Sequence, residues 1–306
     1  MEEASMKQIT TPGRFAMTRR HVAAMFVAGA ALLVACGGDD SSSETVSTEA
    51  EEQAMRIVSL SPTHTEILYA IGAGDQVVAV DSMSNYPADA AITDLSAYEP
   101  NVEAISEFDP DLVVIGDDFT GLAEQLTAIG IESWVSAAPA TLDEVYAQIA
   151  DLGVTVGHGE EATALADSMK ADIEEIVSAT PVVPEGTSYF LELDDTLYTV
   201  TSNTFIGSLY ELFGLRNIAD AAEGDTDYPQ LSAEFLVSQD PTLIFLADTK
   251  LGASAETVSA RPGWDALSAV AAGNIVELDD DIASRWGPRL VDYVAAIAKA
   301  LESVGS

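Results

Sequence analysis

The chain has 306 residues, enough for two domains, and its 48% hydrophobic content lets it bury a sizeable core and excludes disorder over most of its length. Twelve basic residues face 51 acids, a net charge of −39, which repels nucleic-acid phosphates and excludes DNA or RNA as a partner. Such a surface reads as adaptation to a salty or acidic exterior, or as attraction for one cationic ligand.

The first elements form an export leader. In "MTRRHVAAMFVAGAALLVAC" (17–36), Arg19 and Arg20 precede an apolar run from Val22 to Ala35. That run is too short to cross a bilayer, so it reads as the apolar region of a signal peptide. "LVAC" resembles the bacterial lipobox, which predicts acylation of Cys36, the chain's single cysteine, as the mature N-terminus. The alternative is an ordinary signal peptide with a chance Cys. Met1 and Met17 are both possible starts, and the twin arginines leave the Sec and Tat routes open. Residues 1–36 are thus expected to be a signal peptide, and 37–55, small and acidic, a disordered tether. The body from Arg56 is expected outside the cytoplasm, lipid-anchored to the outer face of the cell membrane.

Strand and helix patterns alternate from there. "RIVSLS", "VVAVD", "DLVVIG" and "ESWVS" read as strands; "TEILYAIGAG", "NVEAISEF", "GLAEQLTAIG" and "TLDEVYAQIADLGVTVG" read as helices. Short apolar strands alternating with helices predict an α/β lobe over 56–157 with a covered, mostly parallel sheet. Within 158–180, Ala162, Leu165, Met169, Ile173, Ile176 and Val177 form one apolar stripe, which predicts a long linking helix. A second series fills 181–306: "SYFLEL" and "LYTVTS" as strands, "TFIGSLYELFG" and "SAEFLVSQ" as helices, "LIFLAD" and "NIVELD" as strands, and a last helix opening at Pro288. The expected fold class is α/β, with two Rossmann-like lobes joined by a single long helix and a ligand cleft between them.

Catalytic patterns are missing. There is no G-x-S-x-G elbow and no phosphate-cradling loop, and "GAG" at 72–74 lacks the third glycine of a dinucleotide fingerprint. No catalytic residue is assigned and the chain reads as a non-enzyme. Two isolated histidines in the body, His64 and His158, make no transition-metal site. His64, in "SPTHTE", reads as a turn residue at the cleft edge that touches ligand, or as a plain polar loop residue. His158, in "GHGE", reads as a surface turn. Tyr86, Tyr98 and Tyr228 stand beside prolines in loops, and Trp286 stands beside Arg285 before the last helix. Aromatic loop residues with an arginine suit a flat, partly charged ligand; simple loop packing is the alternative.

One unit occurs twice. "PNVEAISEFDPDLVVIG" (100–116) and "PQLSAEFLVSQDPTLIFLA" (229–247) each run from Pro through a short helix to Asp-Pro and an apolar strand. Glu103 and Glu234 each stand six residues before the Asp-Pro, behind Asn101 or Ser232 as capping residue. A carboxylate there favours the helix dipole by roughly 0.3–1 kcal/mol, which explains one copy better than two.

These residues resemble class III substrate-binding proteins of ABC importers, which bind vitamin B12, ferric siderophores or haem. "RIVSLSPTHTEILYAIGAGDQVVAV" and "YEPNVEAISEFDPDLVVIG" carry the resemblance, which covers about 56–304. It implies little hinge motion and one exposed Glu per lobe docking on permease arginines, at the positions of Glu103 and Glu234. Tyr86, Tyr98 and Tyr228 stand where vitamin B12 binders have aromatic residues, two of them Tyr in place of Trp, and Asp281 stands near an acid of those proteins. The few arginines tilt the expected ligand toward a corrinoid over a ferric siderophore or haem. The implied partners are an ABC permease dimer with its ATPase and a cobalt or iron chelate as ligand. The chain is expected to be a monomer with no cofactor of its own, held to the membrane by its lipid alone. A secreted α/β enzyme and a sensory or adhesive lipoprotein are the alternatives from other classes.

Overall fold

Residues 54–302 and 304 are described by the computed structural model. The expected signal peptide, Cys36 and nearly all of the 37–55 tether lie outside the described residues.

The first lobe runs β1 (Ile57–Leu60), α1 (Pro62–Ala70), β2 (Val77–Val80), α2 (Val102–Ser106), β3 (Leu112–Ile115), α3 (Leu122–Ala128), β4 (Glu132–Val135) and α4 (Leu142–Thr155). Its strands are all parallel, in the order β2-β1-β3-β4. A 21-residue helix, α5 (Gly159–Ala179), leads onward. The second lobe runs β5 (Ser188–Glu192), α6 (Phe205–Glu211), β6 (Arg216–Asn217), α7 (Ala233–Gln239), β7 (Leu243–Leu246), α8 (Ala255–Ser259), α9 (Ser268–Ala272), β8 (Ile275–Glu277), α10 (Asp280–Ala283) and α11 (Leu290–Leu301). Its order, β6-β5-β7-β8, also parallel, is the first lobe's topology repeated.

The central strands β1, β3, β5 and β7 are buried along their whole length, which is why they read as unbroken apolar runs. Edge strands β4 and β8 stay half-exposed. One face of each sheet joins a shared core that runs from Ile57 and Val114 through Met169 and Ile173 of α5 to Leu191, Phe245 and Tyr293. The other faces carry separate cores around Val58 and Leu126, and around Phe190 and Trp264. The lobes are therefore continuous through α5, which packs on α4 and α11.

The α4–α5 contact depends on a glycine. A Cβ on Gly153 would fall 2.1 Å from the Ala162 Cβ and 3.0 Å from the His158 carbonyl oxygen. Gly157, at φ +83°, then turns the chain into α5. The expected strand "LYTVTS" does not join the sheet. Thr199 and Thr201 donate their amides to the Pro229 and Asp227 carbonyls, so this segment is held by the 227–230 loop instead. The stretch between Asp248 and Asn274, unassigned from the sequence, holds α8 and α9.

The duplicated unit is duplicated in backbone as well. Asn101 accepts from the Glu103 and Ala104 amides (2.9 and 3.2 Å), and Ser232 from the Phe235 amide (3.1 Å). Asp109 and Asp240 both take the left-handed conformation, φ 45° and 44°, and the following proline ends each helix. Their surroundings differ. The Asp240 carboxylate caps α9 through the Ser268 amide and hydroxyl (both 2.7 Å), whereas the Asp109 carbonyl accepts from Arg56 Nε at 3.0 Å. A helix that feeds a parallel strand starts at that sheet's carboxyl edge, so Glu103 and Glu234 each stand at the carboxyl edge of their own sheet, exposed.

Candidate ligand cleft

Outside the carboxyl ends of β1, β2 and β3 lies a recess of about 290 Å³. Ser61, Asp81, Met83, Tyr98, Asp117 and Phe119 of the first lobe line it, facing Asp281, Ser284, Arg285 and Trp286 of the second. A smaller apolar recess of about 90 Å³ adjoins it through the shared Ser284, Arg285 and Trp286, and is lined by Phe205, Ile206, Leu209 and Tyr228. Together they form a cleft between the lobes at the edge where the strand order reverses, the place where α/β sheets hold ligands.

Its rim is aromatic and exposed. Tyr98 is 81% exposed and Phe119 85%, with Met83 and Tyr228 also open. Trp286 forms the floor of both recesses, and its indole N–H donates to Gln148 Oε1 at 3.1 Å. Tyr86 lines neither recess. Its ring lies under the Arg289 guanidinium, 4.3 Å from the centroid.

Beneath the cleft runs a network of charges that joins the lobes. The Glu66 carboxylate, on α1 and buried, accepts from Arg285 Nη1 at 2.8 Å and from Arg289 Nε and Nη2 at 2.9 and 2.5 Å. Arg285 also donates to Asn85 Oδ1 and to the Met83 carbonyl oxygen, each at 3.1 Å, and pairs with Asp281 at 3.1 Å. Asp281 in turn meets Lys250 at 2.5 Å and Asn85 at 2.9 Å. Burial pushes the Asp281 carboxyl up, but Lys250, Asn85 and Arg285 outweigh it and hold it below the usual range. Asp81 goes the other way: burial raises it, and the Ser84 hydroxyl, 2.7 Å away, offsets only part of that.

His64 is a correction. The sequence reading puts it in a turn touching ligand; it lies in the first turn of α1, 0% exposed, and lines neither recess. Pro62 at the helix start draws residue 64 into the helix, and its ring packs against Trp134 (4.9 Å) and Trp286 (6.2 Å). Its Nδ1 is 2.7 Å from Ser61 Oγ, a pairing with a hydroxyl that the sequence does not reveal. Among the described residues Nε2 has no hydrogen-bond partner, and burial lowers the imidazole to about 4. Such a ring is neutral at pH 7 and a poor general base. His158 is half-buried at the start of α5, with Nε2 3.1 Å from Gln76 Nε2.

Of the residues expected to touch ligand, the structure brings Tyr98, Tyr228, Asp281, Arg285 and Trp286 to the cleft; Tyr86 and His64 line neither recess. Sequence reasoning missed Met83, Phe119, Asp81 and Asp117. "GDDF" directly after a buried strand is a pattern that could have found two of them, since loops at the carboxyl edge line such clefts.

The family model "Periplasmic binding protein" matches residues 57–282. An uncharacterized ABC transporter substrate-binding lipoprotein of Bacillus subtilis, YvrC, is 30% identical over 272 residues, 86% of this chain and 84% of that protein. The cobalamin-binding protein of Halobacterium salinarum is 30% identical over 273 residues, covering 86% of this chain and 73% of the relative. Among solved structures, the periplasmic vitamin B12 binding protein BtuF of Vibrio cholerae superposes with a TM-score of 0.64 at 27% identity, over 81% of this chain and 97% of that one. A family model spanning most of the chain, over all eight strands described above, makes this chain a member of the periplasmic binding protein family.

Proposed function

We propose that the protein is the extracytoplasmic binding subunit of an ABC importer, which captures a metal chelate between its lobes and hands it to a membrane permease. The cleft carries this reading: apolar and aromatic groups from both lobes converge on it, and Trp286 floors both of its recesses. A corrinoid is the favoured ligand. The chain is similar to cobalamin-binding and vitamin B12-binding proteins over most of its length, and an amide-rich, uncharged macrocycle suits an aromatic rim. A ferric siderophore or haem is the alternative within the family. Attachment through a lipid on Cys36, a monomeric state and an ATPase-driven permease as partner complete the reading. Glu103 and Glu234, one on each lobe, are the contacts proposed for the permease.

A second reading, an enzyme, draws on the Ser61–His64 pair. An imidazole held at about 4 lacks the basicity to activate a hydroxyl at neutral pH, so binding without covalent chemistry remains the conclusion.

The test is tryptophan fluorescence. The chain has three tryptophans, and only Trp286 lines the cleft. Titration with cyanocobalamin, haemin and ferric siderophores is expected to give saturable quenching with one class, lost in Trp286→Phe. Quenching by none of them contradicts the reading.

A further inference from the structure

The cleft's charges sort its ligands. Among the described residues, three carboxylates line the larger recess, Asp81, Asp117 and Asp281, against a single cation, Arg285. That cation is spent inside the protein. Its guanidinium donates to Glu66, Asn85 and the Met83 carbonyl and pairs with Asp281. Arg289, the other guanidinium nearby, is held by both Glu66 oxygens and covered by the Tyr86 ring. Lys250 is paired with Asp281. Each cation around the recess thus already faces a protein carboxylate, and an anionic ligand entering it meets Asp81 and Asp117, which form no ion pair with these cations.

Resting on the chelate-binding reading above, we propose that Glu66, buried out of the ligand's reach, together with Asp281 offsets two of the three charges of Arg285, Arg289 and Lys250, and that Asp81 and Asp117 then tip the cleft to a net negative charge and make it a charge filter. It admits uncharged and cationic chelates and rejects those bearing carboxylate groups. Glu66 is a positioning residue here: it fixes the guanidiniums and sets the field, and touches no ligand.

The experiment uses ligand pairs in which one member bears a carboxylate that the other lacks, measured by Trp286 quenching on the full-length protein. The pairs are cyanocobalamin and its monocarboxylate, ferrioxamine B and its N-succinyl derivative, and haemin dimethyl ester and haemin. In whichever class binds, the anionic member is expected to bind about tenfold more weakly at low salt. The gap should narrow as salt rises. It should also narrow about tenfold in Glu66→Gln, with cyanocobalamin's affinity close to wild type and that of a cationic member unchanged or weakened. Asp117→Asn, at an exposed loop position, should narrow it in the same direction and covers the case in which Glu66→Gln fails to fold. A purely structural role would weaken both members of a pair together and leave the gap unchanged. Equal affinities within a pair, or a gap that neither variant moves, overturns the filter alone. No binding by any member of any pair overturns the chelate reading and the filter with it.

Discussion

Two buried titratable groups, His64 and Asp248, pull stability in opposite directions over one pH window. His64 is lowered to about 4 by burial, so the unfolded chain binds its proton more readily between about 4 and 6.5. Its share of stability is present above 6.5 and is lost as pH falls toward 4. Asp248, 2% exposed and with Oδ1 unpartnered, is raised to about 6 by burial and by the nearby Glu192 carboxylate, which Arg261 holds at 2.5 and 2.6 Å. The folded chain therefore binds that proton more tightly, and its cost is full above 6 and relieved as pH falls toward the usual carboxylate range. The two effects therefore oppose each other in the wild type between about pH 4 and 6.5. Urea unfolding between pH 4 and 7 is expected to separate them. His64→Asn should gain on wild type as pH falls, and the margin of Asp248→Asn over wild type should be widest at pH 7 and close toward pH 4. Curves parallel to wild type contradict the assignment. None of this is legible in the sequence, because both shifts arise from burial against residues distant in the chain.

At the scale of elements, the sequence is most informative where one local rule decides. The unbroken apolar runs of β1, β3, β5 and β7 announce strands covered on both faces, and the stripe of α5 announces a helix buried along one side. The caps Asn101 and Ser232 mark the starts of α2 and α7. Rules fail where a long-range partner decides. "LYTVTS" has a strand's composition but pairs with a loop, and Glu66 looks like an ordinary helix residue until Arg285 and Arg289 reach it from more than two hundred positions away. Gly153 is another such case. In a helix it reads as a weak point, yet it permits the close approach of α4 and α5. Gly153→Ala should improve helix propensity by about 1 kcal/mol and lose more to overpacking against Ala162, for a net destabilisation of about 1–2 kcal/mol by urea or thermal unfolding. A more stable variant would show that the contact adapts at no cost.

At the scale of the molecule, the design is a doubled lobe with one cleft and a core that passes unbroken through α5. Such a body presents the same capped Glu at the carboxyl edge of each sheet. On this account binding and delivery are separate: the cleft takes the chelate, and Glu103 and Glu234 orient the loaded protein on basic residues of the permease. The measurement that tests this most directly compares chelate uptake by cells with chelate affinity of the purified protein, for wild type and for Glu103→Arg combined with Glu234→Arg. The account predicts that the double variant binds chelate as wild type does and supports no uptake; uptake equal to wild type would contradict it.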